Sequence, residues 1–111
     1  MRVSIMIPLF NIPLIVYTGE DKIEPFKKAV KKLAQDKSQD FEDSSFDGVN
    51  GRSYGTYIWM RTADLPIFAH ELVHSIEAFM HHIGSDCEEV RAYTMQWCMD
   101  KFWPKINEVK P

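Results

Sequence analysis

Two apolar runs open the chain. Residues 3–7 and 14–17 are rich in β-branched side chains, and Thr18 with Gly19 supplies a turn after the second run. A signal peptide also contains an apolar stretch, but this one lacks a cleavage pattern and is interrupted at three positions: Pro8, Asn11 and Pro13. We therefore expect two short strands, and neither a leader nor a membrane span.

A helical spacing follows the second run. Phe26, Val30 and Leu33 recur at i, i+4 and i+7 along one face, and Pro25 falls in the first turn. This spacing predicts a packing helix that begins at residue 23 or 25 and ends near residue 35. The opposite face carries four lysines, which indicate a solvated face more simply than a membrane or nucleic-acid surface: Lys27, Lys28, Lys31 and Lys32.

A turn signal lies near the middle of the chain. Residues 36–47 have little periodicity and many turn formers, which predicts a mobile surface loop. Asn50 and Gly51 then separate two extended runs, residues 46–49 and 52–60. Because the Asn-Gly pair suits the positive φ angles of a type I′ turn, we expect a β-hairpin with these two residues at its tip.

The clearest helical pattern lies between Asp64 and Gly84. Asp64 is a suitable N-cap, Pro66 falls in the first turn, and Gly84 is a natural stop. One apolar stripe runs along the segment: Leu65, Phe68, Leu72, Ile76, Phe79 and Ile83. The pattern therefore predicts a helix with a defined beginning, buried face and end.

This helix carries the sequence His-Glu-x-x-His. His70 and His74 are i, i+4 neighbours that can bind one Zn²⁺, and Glu71 stands about 100° round the helix, where it can reach a metal-bound water. The alternative interpretation is two histidines on a packed helix with a surface glutamate between them. A catalytic zinc site needs a third protein ligand and an open fourth position, so the third ligand decides the class of site.

His81 and His82 are the first candidates for the third ligand. His81 projects on nearly the same face as His70, but it lies about 10 Å further along the helix axis than His74. An unbroken helix therefore does not bring it to the same ion.

Glu88 and Glu89 open a second predicted helix and are the better candidates. Ser85 and Glu88 fit a capping box, which gives Glu88 a structural role and leaves Glu89 as the ligand. Asp86 with Glu89 is the competing capping register. One stripe of the helix contains Glu89 and a small residue that would allow a close approach to the motif helix: Glu89, Ala92, Tyr93 and Gln96.

These features resemble the gluzincins, zinc peptidases with a His-Glu-x-x-His helix and a glutamate ligand on a following helix. The resemblance is to the single-domain minigluzincins and phage-encoded predicted metallopeptidases, and covers about residues 52–102. It rests on an extended strand at 54–60, the motif at 70–74 and the segment 89–93. It implies that the strand at 54–60 forms a sheet edge above the cleft and pairs with an extended peptide.

Length and composition fit one globular domain. The chain has 111 residues, of which 45% are hydrophobic and 26% charged, and its net charge of -3 supplies no positive field for nucleic acid. Together with the resemblance, this predicts a minimal zincin-like α+β fold spanning residues 1–111. It would contain a small, mostly antiparallel sheet, a packing helix, the motif helix and a glutamate-bearing helix.

The two cysteines are expected to be reduced. Cys87 and Cys98 lie eleven residues apart on the second predicted helix, which runs to about residue 102 and ends before Pro104. That spacing separates them by about 16 Å, too far for a disulfide. Reduced thiols favour a cytoplasmic location.

The predicted function is zinc-dependent hydrolysis of peptide bonds. His70, His74 and Glu89 would hold zinc as the cofactor, and Glu71 would take a proton from the zinc-activated water and pass it to the leaving amine. The expected partner is a peptide or protein substrate, with no nucleic acid and no membrane. The alternative is a non-catalytic zinc-binding domain, structural or partner-binding, on the same fold, and a metal-free fold with an incidental motif is the third hypothesis.

Overall fold

A computed structural model of the protein describes residues 1–7, 11–36 and 46–107. Apart from a short 3₁₀ turn, these residues form four strands and three helices: β1 (Arg2–Ile7), β2 (Ile12–Thr18), α1 (Ile23–Asp36), β3 (Gly51–Tyr54), β4 (Tyr57–Met60), α2 (Leu65–His82) and α3 (Glu88–Asn107). The strands form one sheet in the order β1-β2-β4-β3. The β1/β2 and β3/β4 pairs are antiparallel and β2/β4 is parallel, so the predicted α+β class is confirmed with a mixed sheet.

The two central strands are buried on both faces. Alternate side chains of a strand point to opposite faces of the sheet, so β2 and β4 each contribute to two clusters. The cluster under α2 and α3 takes four of these side chains: Leu14, Val16, Ile58 and Met60. The cluster under α1 takes three more, which pack with Phe26 and Val30: Ile15, Tyr17 and Trp59. The sheet therefore separates α1 from the two helices that carry the candidate chemistry.

The ends of α2 are fixed by the capping residues that the sequence predicts. The Asp64 carboxylate accepts a hydrogen bond from the Ile67 amide at 3.0 Å. At the other end, the Gly84 amide donates to the His81 carbonyl and the Ser85 amide donates to the Met80 carbonyl, with Gly84 at a φ of 67°. This pair of bonds is a Schellman motif, which closes the helix. The motif helix is therefore confirmed.

The predicted hairpin turn is wrong. Asn50 and Gly51 do not form it; the β3/β4 register pairs Tyr54 with Tyr57, so Gly55 and Thr56 lie at the tip. Gly55 has a φ of 57°, the positive value that a type II′ turn requires at its first central position. The expected edge strand at residues 54–60 is corrected too, because β4 is an interior strand and β3 forms the edge.

α3 continues through Pro104, although the sequence predicted an end before it. A proline inside a helix costs about 3 kcal/mol because one hydrogen bond is lost and its ring crowds the preceding turn. Ile106 is only 2% exposed and belongs to the core beneath α2 and α3. Burial of an isoleucine contributes about 1.5–3 kcal/mol, which offsets much of that cost.

Most of the predicted loop at residues 36–47, namely residues 37–45, lies outside the described residues. Arg61 binds residues 46–49, which lead into β3. Its guanidinium donates to the Phe46 carbonyl at 2.7 Å and to the Val49 carbonyl at 3.0 Å. Arg61 also pairs with Glu20 and lies 5.3 Å from the centroid of the Trp59 ring. This arginine therefore fixes the segment that leads into β3.

We expect Arg61→Lys to lower the free energy of unfolding by about 1–3 kcal/mol, because an ammonium does not reproduce the planar donor fork that binds both carbonyls. Urea denaturation measures the loss. Arg91→Lys is the matched control, since Arg91 makes an exposed ion pair with Glu77, and such pairs contribute about 0–1 kcal/mol. Equal losses in the two variants would contradict the role given to Arg61.

Both cysteines are free, as predicted, but their surroundings differ. Cys87 is exposed just before α3, whereas Cys98 is buried beneath α2. Burial raises the pKa of the Cys98 thiol from 9.0 to about 12. In the segments described, no helix is long and apolar enough to cross a membrane.

The raised pKa of Cys98 predicts a pH effect on stability. Between pH 9 and pH 12 the unfolded chain loses the thiol proton while the folded chain keeps it, so the free energy of unfolding falls as pH rises. We expect Cys98→Ala to reduce this slope and Cys87→Ser to leave it unchanged, measured by urea denaturation across that range. Identical slopes in all three proteins would show that Cys98 is not buried as described.

Candidate metal centre

The exposed face of α2 presents two imidazoles side by side. His70 and His74 are one helical turn apart, both are exposed, and their ring centroids are separated by 5.0 Å. The opposite face of α2 packs into the core through four apolar side chains: Phe68, Leu72, Ile76 and Phe79. Burial of this stripe therefore directs the two histidines toward solvent, where both rings can reach one ion.

Glu71 lies at the boundary between the helix and the sheet. It is 8% exposed, in contrast to the two exposed histidines around it. A Cβ atom built on Gly51 would stand 3.2 Å from both Cγ and Oε2 of Glu71. The carboxylate therefore lies against the backbone of β3, on the side of α2 that faces the sheet edge.

α2 supplies two side chains that are suitable zinc ligands. Neutral imidazole is a common zinc ligand, and histidines at i and i+4 are the arrangement that binds one ion from a single helix. Over residues 1–7, 11–36 and 46–107, no three His, Cys, Asp or Glu side chains lie together so that they could hold a metal ion. The structure thus brings His70 and His74 together and does not bring a third ligand to them.

The predicted approach of Glu89 and Ala92 to α2 is wrong. The stripe that contains them is the exposed face of α3, with Tyr93 67% exposed. α3 instead packs through Cys98 and Phe102, and Arg91 forms an ion pair with Glu77 of α2 at 2.5 Å. At about 100° per residue, Glu89 lies about 160° round α3 from Arg91. Its assignment as the third ligand stays a prediction.

The predicted capping box, which gave Glu88 a structural role and left Glu89 as the ligand, is also absent. The Ser85 hydroxyl accepts from the Cys87 amide at 3.2 Å, while the Ser85 amide is bonded to the Met80 carbonyl and is not free for Glu88. Glu88 is exposed and lies about 60° round the helix from Arg91, on the side of α3 that faces α2. Glu88 is therefore nearer to α2 than Glu89, but within the described residues neither glutamate joins the histidine pair.

His81 and His82 lie in the last turn of α2, and both are exposed. Neither joins the first histidine pair in a group of three within the described chain. The residue that sequence reasoning missed is Gly51, which was interpreted as half of a turn. Its contact with Glu71 joins residues twenty positions apart, and the local pattern around Asn50 contains no signal for it.

Zinc affinity separates the two glutamates of α3. We expect Glu89→Ala, which removes the third ligand that the gluzincin resemblance implies, to weaken zinc binding by more than the roughly tenfold that loss of an outer partner costs. Glu88→Ala is the matched control and should change affinity little, while His70→Ala should remove the site. Competition with a chromophoric chelator measures each dissociation constant. A loss confined to Glu88→Ala would contradict the assignment of Glu89.

Comparison with known proteins supplies no family. No protein-family model, curated protein or solved structure matches the chain. The case for a function therefore rests on the side chains of α2, β3 and α3.

Proposed function

We propose that the protein is a zinc-dependent peptidase in which Glu71 is the general base. The observation that carries this proposal is that the Glu71 carboxylate is held between α2 and β3, on the helix that also presents two exposed, adjacent imidazoles. In the alternative interpretation, the glutamate between the two histidines is a surface residue and would be exposed. Glu71 is instead 8% exposed, which supports a role beyond that of a surface side chain.

His70 and His74 would hold the metal, with a carboxylate from the first turn of α3 as the third ligand. Glu89 is the one that the gluzincin resemblance implies, and Glu88 is the alternative on the side of α3 that faces α2. When bound, zinc supplies Lewis acidity that activates water and polarises a carbonyl. The His70 and His74 rings, spaced by one helical turn, match the separation that a shared ion requires.

Glu71 moves the proton in this mechanism. Its carboxylate accepts a proton from the attacking water and donates it to the amine that leaves when the peptide bond breaks. Contact with the β3 backbone limits the directions in which the side chain can turn. A base restricted in this way has few positions open to it, and positioning of this kind raises the reaction rate.

β3 supplies a place for an extended substrate. Among the described strands it is the last in the sheet order, next to β4, and it lies next to α2 through Gly51. An edge strand offers backbone N–H and C=O groups that can pair with an extended peptide. A peptide bound along β3 would bring its backbone close to Glu71, which favours peptides over other amide substrates.

Glu71→Gln keeps the size of the side chain and removes the base. We expect this variant to retain about one zinc ion per chain and to lose about 10²- to 10⁴-fold in kcat on fluorescein-labelled casein. Zinc is measured by elemental mass spectrometry and hydrolysis by fluorescence. Glu77→Gln is the matched control, because Glu77 is an exposed glutamate on the same helix and should keep the wild-type rate.

The same measurements distinguish the other hypotheses. Zinc bound by the wild-type protein without hydrolysis of casein, or of a mixed peptide library, would indicate a non-catalytic zinc-binding domain. No zinc in the purified protein and none taken up on titration would leave the motif incidental. Equal hydrolysis by wild-type protein and Glu71→Gln would refute the role of Glu71 as the base.

A further inference from the structure

Gly51 is the first residue of β3 and lies against α2. A Cβ atom at this position would lie 2.7 Å from Cγ2 of Ile67 and 3.2 Å from both Cγ and Oε2 of Glu71. Real Cβ atoms essentially never come within 3.0 Å of a heavy atom outside their own and the adjoining residues. The place of a side chain at position 51 is therefore taken by two residues of α2.

Ile67 and Glu71 lie four residues apart and so share one face of α2. Ile67 comes one turn before the histidine pair begins, and Glu71 lies between the two histidines in sequence. A side chain at position 51 would press on both residues, and on Glu71 it would meet the carboxylate itself. The space left by Gly51 thus sets how close Glu71 lies to the strand.

Space, and not backbone conformation, is what requires glycine at this position. Gly48 and Gly84 have φ angles of 73° and 67°, a region that favours glycine, and a Cβ on either would meet nothing within 4 Å. Gly51 has no such positive φ, so another residue could adopt its backbone angles. Its glycine is explained by contact with α2 alone.

We propose that Gly51 is a positioning residue for Glu71. The inference rests on the proposed peptidase function: the absence of a Cβ at position 51 lets the Glu71 carboxylate lie against β3, the strand along which the proposed peptide substrate would bind. An added methyl group shifts Glu71 by a few tenths of an ångström and so moves the base relative to its substrate. Binding of the substrate backbone along β3 and binding of zinc by the histidines are left in place.

The experiment introduces Gly51→Ala into an Ile67→Ala protein, in which the shorter side chain at position 67 leaves room for the added methyl group. Ile67→Ala removes Cγ2 and with it the 2.7 Å contact, so that in Gly51→Ala/Ile67→Ala the contacts with Glu71 are the ones that remain. Relative to Ile67→Ala alone, we expect the double variant to lose about tenfold in kcat on fluorescein-labelled casein. KM and zinc content should stay the same, and the loss of Tm should be smaller than the loss that Gly51→Ala causes in the wild type. Gly48→Ala controls for general destabilisation and should lower Tm without lowering kcat.

A second comparison uses Tm and needs no activity. Gly51→Ala should lower Tm less in a Glu71→Ala protein than in the wild type, because Glu71→Ala removes the Cγ and Oε2 atoms that the new methyl group would meet. Equal Tm losses in the two backgrounds would overturn the proposal. So would an unchanged kcat in Gly51→Ala/Ile67→Ala relative to Ile67→Ala.

The two proposals fail in different ways. If the wild-type protein binds zinc and hydrolyses nothing, the proposed function fails, while the Tm comparison still decides whether Gly51 sets the position of Glu71. If the wild-type protein is active and Gly51→Ala/Ile67→Ala matches Ile67→Ala in kcat, the peptidase stands and Gly51 is a packing residue only.

Discussion

Burial of β2 and β4 on both faces is the constraint on which the rest of the structure depends. Leu14, Val16, Ile58 and Trp59 are fully removed from solvent, and helices must cover the sheet on each side. α2 meets this requirement with an apolar stripe whose large side chains each contribute about 1.5–3 kcal/mol on burial. Because that stripe has to face the sheet, the polar residues between its members have to face outward. The histidine pair is exposed for this reason.

The candidate chemistry lies where α2 meets the edge strand. α2 is capped at both ends, so its position along the axis is defined, and Gly51 lets β3 approach its face closely. Arg61 holds the segment that enters β3 and therefore contributes to the same junction. The result is a carboxylate restrained on one side by a strand, on a helix whose two imidazoles are open to solvent. A helix alone would leave Glu71 free to rotate among its side-chain conformers.

The sequence alone determined the features that depend on neighbours in the chain. The limits of α2 follow from Asp64 and Gly84, because a cap and a Schellman motif are built from residues within one turn of the helix end. β1, β2 and α1 follow from β-branched runs and a helical spacing, and the structure confirms all three. The i, i+4 pairing of His70 and His74 needs only helical geometry, so the sequence was sufficient to predict it.

Only the tertiary structure decided the features that depend on distant contacts. Asn50 and Gly51 are residues typical of a β-turn. In the structure, however, Gly51 belongs to β3 and packs against α2, and the turn lies at Gly55. The stripe with Glu89 had a reasonable helical spacing, yet the buried residues of α3 are those that fit beneath α2, which leaves Glu89 facing solvent. Which face of a helix is buried, and which glycine is needed for space, are set by contacts between residues far apart in sequence, and local patterns do not encode them.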